Sequence, residues 1–204
     1  MARIPKAQYE TMPSYAKQMR SAGQELNQAL IEAYTNIANM HSVWYGKRYN
    51  SLLQQFNNMI PQMSELLEFV VAQLPFALET IANNYSSADG VGKITSAART
   101  EPKKINAITP STEEGLKFMS DEVANVQKKV SANFTNAKEK MDQIQTIYSK
   151  VEWVSDAATQ FRARFMQLKK NITTFFDEFN ASFTKSMQQT LQDIQATENA
   201  NTVN

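Results

Sequence analysis

The sequence predicts an all-α protein, a four-helix bundle made of two long antiparallel helical hairpins in one chain. Three observations carry this prediction. Apolar residues recur at three- and four-residue steps over four long stretches. Most of the five glycines and six prolines fall where such a stretch starts or stops. Finally, the second half repeats the apolar spacing of the first at an offset of 109 residues.

The first stretch begins at about Ser14 and carries Met19, Leu26, Leu30, Ala33, Ile37 and Met40 on one stripe, so helix one is expected to end near Val43. The second resumes after Gly46 and runs through Leu52, Phe56, Met63, Leu66, Val70, Leu74, Leu78 and Tyr85. Pro61 and Pro75 lie inside it, and because the pattern continues past both they are expected to bend the helix rather than end it. Residues 86–110 lose the periodicity and read as a linker, with a short helical turn expected near 94–99. Ser111, three residues before Glu114, has the spacing of a capping box, so helix three is expected to begin there. Its stripe includes Leu116, Met119, Val123, Val130, Phe134, Met141 and Tyr148. After an interruption at Trp153-Val154-Ser155-Asp156, helix four carries Phe161, Phe165, Leu168, Ile172, Phe175, Phe179 and Phe183. The expected organisation is a hairpin at 1–85, a linker at 86–110, a second hairpin at 111–198 and a disordered tail at 199–204, all in one bundle.

The 21 basic and 20 acidic residues nearly cancel and no run of like charge reaches five, which argues against nucleic acid as a partner. There is no cysteine, so disulfides and thiol chemistry are excluded. Met1 to Pro5 bears a charge with no apolar segment behind it, so Sec-type export is not expected. The densest apolar run, Leu66 to Leu78, is 13 residues long and too short to span a bilayer as a helix. His41 is the single histidine and has no partners at metal-ligand or triad spacing, and no phosphate loop is present. No catalytic residue, cofactor or metal is expected, and the chain reads as a non-enzyme.

Sliding the chain by 109 residues places Trp44 on Trp153, Leu52 on Phe161, Phe56 on Phe165 and Leu66 on Phe175. Stripes in phase always match, so the register rests on the tryptophans and their turns. Trp44-Tyr45-Gly46, the aromatic Phe56 and Tyr85-Ser86-Ser87-Ala88-Asp89 together resemble the Trp-X-Gly superfamily, the early-secreted-antigen-like substrates of type VII secretion. Trp153-Val154-Ser155-Asp156-Ala157-Ala158 resembles the same turn, with Ser155 in place of the glycine, and Ile194 replaces the second signal tyrosine. Members of that family are single hairpins that pair into four-helix bundles. The resemblance therefore implies a tandem member whose dimer-like bundle is intramolecular.

It further implies turn motifs at Trp44, Gly46, Trp153 and Ser155, with each tryptophan packed where one hairpin's turn meets the other hairpin. Tyr85 and Asp89 are the implied export signal, one helical turn apart and presented on one face. The expected role is a secreted effector or chaperone-like interaction module, cytoplasmic before export. Its expected partners are a type VII secretion ATPase and a co-secreted or host protein, and its expected state is a monomer or weak homodimer. A cytoplasmic or structural coiled-coil adaptor is the alternative, with a membrane-active toxin a third reading. The apolar run is expected chiefly as buried bundle core, with membrane contact not favoured; if it does form a partner or membrane surface, Leu67, Val71 and Phe76 are the residues it offers. Residues 86–110 can stretch to roughly 80 Å, so the linker permits either parallel or antiparallel packing of the hairpins.

Overall fold

The structure is a computed structural model that describes residues 6–201. Its helices are α1 (Lys6–Asn39), α2 (Lys47–Leu67), α3 (Leu74–Ala88), α4 (Ser120–Ser149) and α5 (Asp156–Asn201). A π-helical turn, Glu68–Gln73, joins α2 to α3 without a break, so the bundle is built from four rods. α1 begins well before Ser14 because Tyr9 and Met12 are buried in the core, and Pro13 is carried inside the helix. α5 continues to Asn201, past the expected end of the second hairpin. Residues 1–5 and 202–204 lie outside the described residues.

Pro75 explains the π turn. It has no N–H to offer Val71, and the helix meets it with wider turns just upstream, where the Leu74 N–H reaches back five residues to the Phe69 carbonyl. The expected bend is thus taken up as a π turn, while Pro61 sits on the exposed side of α2. Gly23 of α1 faces this segment: a Cβ there would lie 3.0 Å from Val71 Cγ2 and 3.2 Å from the Val70 carbonyl oxygen. The glycine is mid-helix because the two backbones approach closely there.

The hairpins pack with their turns at opposite ends of the bundle. α1 lies against α4, and α2 against α5. Phe56 meets Phe175 and Phe179 with ring centroids 6.3 and 5.9 Å apart, and Phe69 meets Phe161 and Phe165 at 5.4 and 6.3 Å. These rings are the second half's answer to the first half's stripe, and truncating any one of the buried ones to alanine would cost about 3–5 kcal/mol. Polar pairs flank the seam, with Arg164 on Glu65 at 2.6 Å and Arg48 on Asp193 at 2.6 Å.

Antiparallel hairpins leave the end of α3 and the start of α4 at opposite ends of the bundle, so residues 89–119 must run its length. They do so as an ordered strap with no helical turn at 94–99. Four helix-borne asparagines each grip one strap residue by its backbone, the amide accepting from an N–H and donating to a C=O. Asn83 holds Thr95, Asn27 holds Lys103, Asn57 holds Ile108 and Asn50 holds Ser111, with all these bonds between 2.7 and 3.1 Å. The spacing is commensurate: Asn50 and Asn83 are about 50 Å apart at 1.5 Å per helical residue, and Thr95 and Ser111 are about 50 Å apart at the ~3.1 Å rise of a polyproline-II chain. Burial along the strap has that period too, with Ile105 and Ile108 inside and their neighbours outside.

This moves the start of helix three. Ser111 Oγ accepts the Glu113 N–H at 3.2 Å in a local turn, its backbone belongs to Asn50, and α4 starts at Ser120. Leu116 and Met119, placed on the stripe by periodicity, are exposed. Between them Lys117–Phe118 (β2) pairs antiparallel with Trp44–Tyr45 (β1), and the ladder competes successfully with an earlier helix start.

Asn57→Ala removes both bonds to Ile108 and leaves a buried strap N–H and C=O unmatched. Chemical denaturation should show a loss of about 1–3 kcal/mol. Limited proteolysis should then cut between 104 and 112 in the variant before it cuts the parent.

Candidate functional site

Trp44 sits at the α1–α2 turn and is fully buried, with Phe118 edge-on at 5.3 Å, Phe183 of α5 stacked at 5.9 Å and Tyr49 at 6.1 Å. It therefore joins its own hairpin to the strap's end and to the second hairpin. Its Nε1 is buried without a partner. Gly46 follows at φ 122, ψ −177, a conformation reserved in practice for glycine, and its carbonyl accepts the Asn50 N–H at 3.1 Å to open α2. Space is not the constraint, since an added Cβ would meet nothing closer than 3.4 Å.

The second turn solves the same problem differently. Ser155 Oγ accepts the Ala158 N–H at 3.0 Å and its carbonyl accepts the Thr159 N–H at 3.1 Å, so the serine is the N-cap of α5. Trp153 is nearly buried and packs on Phe161 at 5.8 Å. Phe161 in turn packs on Phe69 of the first hairpin, which gives the second tryptophan an indirect counterpart of the first one's contact.

Tyr85 and Asp89 form the last turn of α3, with the Asp89 N–H on the Tyr85 carbonyl at 3.0 Å. The helix stops in a Schellman arrangement: Gly90 N–H bonds Ser87 O at 3.1 Å, Val91 N–H bonds Ser86 O at 3.0 Å, and Gly90 has φ 81. Tyr9 of α1 spans the pair. Its ring stacks on Tyr85 at 6.4 Å and its hydroxyl donates to Asp89 Oδ2 at 2.7 Å. The hydrogen bond to the Asp89 carboxylate, with burial adding to it, pushes the Tyr9 hydroxyl up to about 12. Asp89 is exposed and Tyr85 half-buried. Tyr9 escaped the sequence reading because it precedes the recognised stripe. Its signal was an aromatic at the remote end of the helix that pairs with α3.

The apolar run is core for the most part, the reading its wide apolar face favours, rather than a partner or membrane surface. Leu67 and Val71 are buried in the core, Val71 against Gly23, and of the three only Phe76 is exposed. α1, α5 and the strap cover the rest, because the wide apolar face of this helix has three neighbours to bury it. His41 is exposed, with Nδ1 2.9 Å from the Ala38 carbonyl. Among the described residues, no three acidic or histidine side chains converge as a metal site, and no helix is long and apolar enough to cross a membrane. Compared with known proteins, the chain matches no family model, no curated protein and no solved structure.

Ser155→Ala should cost about 1 kcal/mol in equilibrium unfolding and Ser155→Gly only a few tenths, the signature of a lost cap. Alkaline titration should show a further signature. Tyr9 has a higher pKa folded than unfolded, so its contribution is complete below about pH 10 and disappears as the pH rises through about 12. Tyr9→Phe should remove that part of the pH dependence, read from unfolding midpoints measured between those limits.

Proposed function

We infer that this chain is a secreted, non-enzymatic interaction module exported through a type VII pathway, with its partner hairpin fused in cis. The observation that carries the reading is the order of features on one continuous rod. The Trp44-Tyr45-Gly46 turn opens α2, and the same rod ends at Tyr85 and Asp89 on a capped final turn. That order resembles the Trp-X-Gly superfamily, in which a hairpin carries its export signal just past the second helix. The fused second hairpin supports the reading as well, since it covers the aromatic stripe that an isolated hairpin would expose.

In this reading Trp44 and Gly46 set the turn, Tyr85 and Asp89 are the address, and the second hairpin serves as structural partner. The protein leaves the cytoplasm folded. Its partners are the secretion ATPase and a protein met outside the cell.

Culture supernatants test this directly. Extracellular protein should be abundant for the parent chain and fall to background in cells lacking the type VII ATPase. Tyr85→Ala should fall equally far while its intracellular level and thermal unfolding stay near the parent's. Equal extracellular amounts in all three would reject export and favour a cytoplasmic adaptor.

A further inference from the structure

Charged side chains mark the solvent face of a bundle helix, and α4 and α5 carry them there, with Lys128, Glu139, Lys170 and Glu178 all exposed. α3 departs from this pattern. Between Glu68 and Asp89 the sequence has a single charge, Glu79, which is buried and paired with Arg20 at 2.9 Å. At about 100° per residue, the sides of α3 that α1 and the strap leave open carry Phe76, Ala77, Thr80, Ile81, Asn84 and Ser87, with Tyr85 at one edge. Phe76 is 39% exposed, and Ile81 and Tyr85 are half-buried. Two further exposed apolar side chains, Val91 and Ile94, are held to the last turns of α3 by backbone bonds to Ser86 and to the Asn83 side chain.

Further up the same rod the cover is complete. α5 lies along α2 and reaches past the π turn, where its Phe161 and Phe165 meet Phe69. It begins at Asp156, little more than a turn before Phe161, so its start is about level with Leu74. α3 continues beyond that point for 15 residues and packs chiefly on α1. The helix cover provided by α5 therefore stops where α3 starts.

We propose that this open face of α3 is a self-association surface, and that its occupant is α3 of a second copy of the chain, antiparallel about a two-fold axis. The second copy takes along α3 the place that α5 takes along α2. Charge is the first reason to choose a copy of the chain itself. A two-fold axis brings the centre of a face against its own equivalent, where an exposed charge would meet its like, and this face has none. Size is the second. With Ile81 opposite Ile81 of the second copy, Phe76 falls opposite Ser87 and Tyr85 opposite Ala77, so each large side chain meets a small one. Thr80 falls near Asn84, whose amide can pair with the hydroxyl. About four turns of helix on each side make a small interface, below the ~1,000 Å² of a stable complex, so the dimer is weak, with a Kd between roughly 10 µM and 1 mM. Self-association of this kind goes beyond the export reading and does not depend on it.

Sedimentation velocity of the full chain should show reversible monomer–dimer exchange across that concentration range. Thr80→Lys and Thr80→Glu should each be monomeric with a thermal unfolding midpoint near the parent's, and an equimolar mixture of the two should recover the dimer. The chain has no cysteine, so the register is testable one thiol at a time. Ile81→Cys should give a disulfide-linked dimer under mild oxidation. Phe76→Cys alone should not, since its equivalent lies about 16 Å away along the helix axis, but mixed with Ser87→Cys it should crosslink. A parent that stays monomeric throughout overturns the proposal and leaves the face to a helix of another protein. So does a dimer that persists in both charged variants, or crosslinking as efficient at residue 76 alone as at residue 81, either of which seats the second copy elsewhere.

Discussion

A chain that folds two antiparallel hairpins onto each other must carry its connection from one end of the bundle to the other. The rest of the structure depends on how that connection is held. Lying along the bundle without a helix or sheet ladder of its own, a long segment has backbone donors and acceptors to satisfy wherever it is covered. Here the helices supply the missing ladder. Asn50 and Asn57 are two helical turns apart on one face, and the residues they hold, Ser111 and Ile108, are one polyproline turn apart, both spans being about 10 Å. The match of the two periods lets asparagines on a straight rod follow an extended chain without either one bending. Asparagine is a poor helix former, and the strap explains its presence at residues 27, 50, 57 and 83.

The same end-to-end arrangement dictates the core. Because α5 runs back along α2, the phenylalanines of the second half meet Phe56 and Phe69 in succession, and the last ring, Phe183, arrives at Trp44. The fit at the other end of α2 is closer to a compromise. Pro75 forces a π turn, the π turn pushes Val70 and Val71 outward toward α1, and Gly23 makes room for them. Any side chain at residue 23 would have to displace a backbone carbonyl, so the glycine on one rod and the proline on the other are parts of one packing solution.

The periodic parts of this fold were legible in the sequence and the aperiodic part was not. Four rods, their apolar stripes and the turns at Trp44 and Trp153 follow from three- and four-residue spacing and from glycine, which are local signals. Residues 86–110 show no helical period, and absence of a period reads as a linker even when the chain is pinned. The clue lay elsewhere, in the asparagines on the helices and in the spacing of Pro102, Ile105 and Ile108, and each is meaningful only once the other is in view. Ser111 misled for a related reason: its capping-box spacing is real, but Asn50 claims its backbone first. Leu67 and Val71 show the converse, since a wide apolar face signals burial without saying whether a partner or the chain's own strap provides it.

The turn at the end of α3 belongs to both stories. Asn83, two residues before Tyr85, is the first pin, accepting the Ile94 and Thr95 N–H groups at 2.9 and 3.1 Å. Between Asn83 and Thr95 the chain makes its Schellman stop, and Tyr9 closes over Tyr85 and Asp89 from α1. The conformation of the Tyr85–Asp89 turn is therefore fixed by a contact from the remote end of α1 on one side and by the strap on the other. An unfolded chain would carry the same five residues, but without Tyr9 against them and without the helical turn that sets tyrosine and aspartate on one face. Under the proposed export reading, a receptor that bound the pair in this geometry would distinguish the folded bundle from the nascent chain.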